Sequence, residues 1–179
     1  GLIPPSTRRL HRNGTLHGLD DDVLTTARLA DDMWPFAKQV SEAAHHSSRA
    51  LAGVRAGLFR PEIDRVPSDF AWLRSHIAEA VAALQDIDPG ELDAIADRDM
   101  RFEFGSFQVG FTVSDFLLSL CLPNFHFHVT TAYAKLRHGG VKIGKLDYPG
   151  KMRDQTLIRI WRKYYPTWIK SCNPLSPIH

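Results

Sequence analysis

The chain has 179 residues, 44% hydrophobic and 23% charged, with 22 Lys and Arg against 20 Asp and Glu for a net charge of +2. At roughly 100–200 residues per domain this is one domain with tails, and the composition excludes wholesale disorder. Three arginines in residues 1–19 and six basic groups in 151–179 leave 13 basic and 19 acidic residues in 20–150, and so acidic a body argues against a nucleic-acid-binding domain.

Residues 1–19 combine Pro-Pro, Asn-Gly and His-Gly with no sustained period and predict an irregular lead-in. Asp20, Asp21 and Asp22 open a short helical stretch, where acids suit the positive end of the helix dipole. The first long helix is predicted over 35–52. Pro35 stands in its first turn, Phe36, Val40, Ala43, Ser47, Ala50 and Leu51 recur at spacings of three and four, and Gly53 reads as its stop. Residues 54–67 read as a connection. Ser68 or Asp69 caps the second helix, 69–87, with the stripe Phe70, Leu73, Ile77, Val81, Leu84 and Ile87. Pro89 restarts a helical turn over 91–96.

Over 100–113 apolar residues alternate on either side of Gly105-Ser106, which predicts a hairpin whose Phe face needs a helical cover. Thr112 or Ser114 caps the third long helix, 114–138, with a kink expected at Pro123. Residues 139–150 read as a Gly/Lys-rich loop. In the tail, Leu157, Trp161, Tyr164 and Trp168 share one side of a basic amphipathic helix, expected to dock on its own core rather than on a membrane. No apolar run reaches the ~18–20 residues of a membrane span. Cys121 and Cys172 are expected to be free thiols, hence a cytoplasmic location, with Cys121 buried and inert.

Four stretches, ARLADDMWPFAKQV, RALAGV, FAWLRSHIAEAVAAL and LPNFHFHVTTAYAKLRHGGVKIGKLDYPG, resemble the DUF1993 family, a branch of the DinB-like helical-bundle superfamily. The resemblance runs from about Asp20 to Gly150. It implies a mainly α fold, an up-and-down four-helix bundle with a small β-hairpin insertion, usually dimeric. The domain organisation is then a lead-in over 1–19, a bundle domain over 20–150 and an extension over 151–179. Such bundles begin with a long amphipathic helix that residues 1–19 do not show. The first helix is therefore expected to be missing or altered, leaving part of the stripes on 36–51 and 70–87 exposed.

The resemblance also implies a divalent metal on three histidines, one late in the second helix and an H-x-x-x-H pair on the last. His45 or His46 stands where the lone ligand belongs, but His126 and His128 are two residues apart, about 200° around a regular helix. No metal is therefore expected. If Zn, Ni or Mn binds, it uses His45 or His46 with His128 and a third ligand that is not histidine. A different grouping needs no metal: Asn124, His128 and Thr131 share one face at i, i+4 and i+7. A neutral imidazole beside a buried amide can bind a small ligand or shuttle its proton. Asp32, Trp34 and Gln39 are expected on the opposite wall. Tyr133 and His138 read as structural, and no G-x-G-x-x-G, Walker-type loop or C-x-x-C is present. The reading is a protein that binds, or transforms at His128, a small organic molecule in the bundle core without a metal. Its rivals are a divalent-metal-dependent hydrolase or transferase and a non-enzymatic protein that dimerises.

Overall fold

The computed structural model describes residues 15–16, 19–61 and 65–149. Most of the lead-in and the whole predicted tail helix lie outside those residues. The chain divides into two units, residues 1–135 and 136–179, each described by itself.

The first unit opens on an antiparallel pair, β1 (Thr15–Leu16) with β2 (Leu19–Asp20), Leu16 opposite Leu19. An irregular lead-in was expected here, and two residues per strand are too few to show a period. Asp20 caps α1 (Asp21–Thr26) by accepting from the Asp22 N–H at 3.2 Å, as the three acids predict.

The first long helical run has three parts: α2 (Phe36–Ala44), a π turn (His45–Arg49) and α3 (Ala50–Ala56). It corrects the expected 35–52 at both ends. Pro35 is the N-cap, and the run stops at Gly57, whose φ of 72° an L side chain rarely adopts. Gly53 is not a stop. A Cβ there would lie 2.9 Å from Phe59 Cδ2, so this glycine makes room for the next strand. That strand, β3 (Leu58–Phe59), pairs parallel with β4 (Asp99–Phe104), which pairs antiparallel with β5 (Phe107–Thr112). The expected hairpin is thus one part of a three-stranded sheet, ordered β3-β4-β5.

Asp69, not Ser68, caps α4 (Phe70–Gln85), accepting from the Ala71 N–H at 2.8 Å. Of its stripe Leu73 is buried, while Ile77, Val81 and Leu84 are 44%, 45% and 39% exposed, in line with the exposure expected on 70–87. The exposure expected on 36–51 is not found: Phe36, Ala50 and Leu51 are buried and Val40, Ala43 and Ser47 half-buried. The short α5 (Pro89–Ala94) follows. Thr112 caps α6 (Val113–Asp115), which runs through a second π turn (Phe116–Cys121) into α7 (Leu122–His138). In that turn the Leu122 N–H bonds back to Leu117, one residue before the proline predicted to disturb the ladder.

The core joins Ala50, Val54, Phe59, Met100, Val113, Phe116 and Cys121, with Phe102 and Phe111 packed against it. The helical run, β3 and the hairpin meet on Phe116, so the Phe face finds its helical cover. Burial pushes the Cys121 thiol up to about 12, which makes it a poor nucleophile, as expected.

In the second unit α7 ends with the Val141 N–H on the Leu136 carbonyl at 2.9 Å and Gly140 at φ 85°, a left-handed helix stop. The expected loop after it holds a 3₁₀ turn, Lys145–Asp147. The fold is mainly helical with a small sheet. Among the described residues the long helical runs are three, and no helix is long and apolar enough to cross a membrane.

Candidate functional site

Glu42 in α2 and His46 in the π turn are four residues apart, a spacing that brings side chains together on one helical face. His128 approaches from α7. One ligand atom from each of the three lies within 4.8 Å of the others. Glu42 and His128 are buried and His46 is half-buried. The His46 and His128 rings stack 5.6 Å apart at 13°, and His128 also stacks with Trp34 at 5.9 Å and 10°.

The orientation of His128 follows from its neighbours. The Gln39 amide nitrogen donates to the Trp34 carbonyl at 3.4 Å, which turns Gln39 Oε1 toward His128. An amide oxygen only accepts, so His128 Nδ1 carries the proton and donates to it at 2.7 Å. Nε2 is left with its lone pair, the state a metal ligand or a general base needs. His46 Nδ1 is buried with no hydrogen-bond partner among the described residues. Glu42 Oε1 meets Lys38 Nζ at 2.6 Å.

Burial lowers both imidazoles from the ordinary 6.5 to about 4, helped at His128 by the positive charges of His46, Lys38 and Lys135. Both are neutral near pH 7. Unfolded, each titrates near 6.5, so between pH 6.5 and 4 the unfolded chain takes up protons that the folded chain does not. Stability should therefore fall as pH drops through that window, with buried His128 contributing more than half-buried His46, whose share solvent screening reduces. Denaturation of the wild type and of His46→Ala at pH 7 and 5 checks this. The variant should lose less than the wild type, and equal losses would contradict the assignment.

The three residues line an open cleft of about 530 Å³. Of the residues singled out from the sequence, Asp32, Trp34, Gln39, His46, Asn124 and His128 line it. Thr131 is buried but is not among its lining residues. The Asn124 amide donates to the Leu120 carbonyl at 2.8 Å, which leaves its own carbonyl oxygen to accept. His126 is exposed. His45 is buried and lines a different pocket with Arg49 and Gly53. Of the two histidines offered as partners for His128, the one brought beside it is His46.

Sequence reasoning missed Glu42. Its signal was Glu42-x-x-x-His46, overlooked because a histidine pair was sought on the last helix; here the i, i+4 pair stands on the earlier one. Phe102, Phe104 and Phe127 also line the cleft, and nothing local marked them. Two neutral imidazoles and a carboxylate suit Zn, Ni or Mn. With a buried, unpartnered Nδ1 on His46, the residues fit such an ion.

Residues 11–149 match the family described as "Domain of unknown function (DUF1993)". No curated protein matches the chain in sequence. Among solved structures it is similar to a crystal structure of a DinB family member from Shewanella denitrificans. The two are 27% identical, with a TM-score of 0.66, over 84% of this chain and 83% of that one.

Proposed function

The chain belongs to the DUF1993 family, and from that premise we propose that its cleft binds a small organic molecule over a divalent metal held by Glu42, His46 and His128. The observation that carries this reading is the convergence of three ligand atoms within 4.8 Å, from two segments far apart in the chain. It departs from the metal-free expectation because the carboxylate of Glu42 supplies the third ligand that the histidines lacked.

A metal with three protein ligands keeps a further position open and acts as a Lewis acid there, the chemistry of a hydrolase or transferase. The chain's own residues supply the rest. Gln39 orients His128, and Asn124 offers an acceptor on the wall. Trp34, Phe102, Phe104 and Phe127 pack against an apolar ligand body and keep water from it.

Metal analysis of the purified protein tests this, with cobalt titration followed by visible absorption. One ion per chain is expected, lost in Glu42→Gln and in His46→Ala. A wild type that neither retains a metal nor binds cobalt overturns the reading.

The metal-free site is the second reading, and the Lys38–Glu42 ion pair favours it, since it already compensates the carboxylate. There Nε2 of His128 takes up the ligand's proton directly. We also propose a cytoplasmic protein with no nucleic-acid partner, and a homodimer. The exposed Ile77, Val81 and Leu84 support an apolar contact with a second chain.

A further inference from the structure

We propose that Lys135 is a positioning residue for this cleft: through the Trp34 carbonyl, its buried ammonium keeps the α2 side of the site in register with His128 on α7. The inference rests on the binding site proposed above and names what holds it together.

Lys135 lies seven residues after His128, two turns along α7 and close to the same face. It is 2% exposed. Its Nζ donates to the Trp34 carbonyl, 101 residues away in the chain. The Gln39 amide donates to that same carbonyl at 3.4 Å, while its oxygen holds His128 Nδ1 at 2.7 Å. The contacts close a ring: Lys135 to Trp34, Trp34 to Gln39, Gln39 to His128, and back along α7.

Among the described residues the ammonium meets a carbonyl and no carboxylate. Burial, with the charge of Arg28, lowers it from the ordinary 10.5 to about 8. A methionine would fill the same space without burying a charge, so packing alone does not account for lysine here. The ring does. Without the ammonium, the Trp34 carbonyl keeps, among the described residues, only the long bond from Gln39. The amide then closes on that carbonyl and draws its oxygen away from His128. The Nδ1–H tautomer is no longer enforced, and a proton on Nε2 blocks the nitrogen the site uses.

The test compares the wild type with Lys135→Met and Lys135→Arg. ¹⁵N NMR of labelled histidine reads the His128 tautomer in metal-free protein, and cobalt titration reads the site. The wild type and Lys135→Arg should show the Nδ1–H form alone, and Lys135→Met a mixture. Cobalt affinity should fall about ten-fold or more in Lys135→Met and stay within about three-fold in Lys135→Arg, as for other partners that orient a ligand. Lys135→Met with the Nδ1–H form alone overturns the proposal, whatever its affinity. If the wild type binds no cobalt, the metal reading falls and the tautomers alone decide for Lys135. Should Lys135→Met fail to fold, Lys135→Gln is read by the same tautomer criterion.

Discussion

His128→Ala should abolish binding in the cleft and destabilise the fold by about 1–3 kcal/mol, the range for a buried polar group left without its partner. Both effects follow from the same contacts. The imidazole supplies one of the three converging ligand atoms. It also satisfies Gln39 Oε1 at 2.7 Å, on a glutamine that is 2% exposed, and stacks against Trp34 and His46. His126→Ala is the control, because His126 is exposed on the same helix two residues away. It should leave binding unchanged and move stability by less than about 0.5 kcal/mol, as surface substitutions do. Cobalt titration and urea denaturation of both variants measure the difference. Equal effects on both readouts would remove the reason for placing the site at His128.

Phe116→Ala should give the largest loss of stability, about 3–5 kcal/mol. Phe116 is fully buried, with ring centroids 5.1 Å from Phe59 and 5.9 Å from Phe111. It therefore ties β3 and β5 to the helical run that leads into α7. Truncation empties a space that none of these three elements can close without moving another. Since domains are stable by about 5–15 kcal/mol in all, the variant should be partly unfolded at moderate urea where the wild type is intact. Its effect should reach the cleft, because Phe102 both packs against this core and lines the cavity. Leu118→Ala, in the same π turn but 66% exposed, should change stability by less than about 0.5 kcal/mol. A loss below about 1 kcal/mol for Phe116→Ala would contradict the packing described.

The elements legible in the sequence were those whose signal is local. Asp69 before Phe70, Thr112 before Val113, and the alternation about Gly105-Ser106 each mark a boundary within four or five residues. The same holds for the burial of His128 against the exposure of His126, which follows from helix rotation alone. Gly53 misled for a related reason: a glycine late in a helical stripe reads as a stop, and only the approach of Phe59 shows its other use. The π turns were not legible, since a single turn of i→i+5 bonding within an α-helix carries no residue signature of its own.

By itself, the sequence determined a mainly helical, acidic-bodied domain with a hairpin, and it marked six of the residues that line the cleft. Only the tertiary structure decided that Glu42 joins His46 and His128, that His45 does not, and that Lys135 is tied to Trp34. The Gln39–His128 and Lys135–Trp34 contacts that hold the site span 89 and 101 residues. Periodicity says which face of a helix is buried, because side chains three and four apart share it. It carries no information on which buried face meets which. That is set by how the helices pack, and here by buried polar groups that find partners only across the fold.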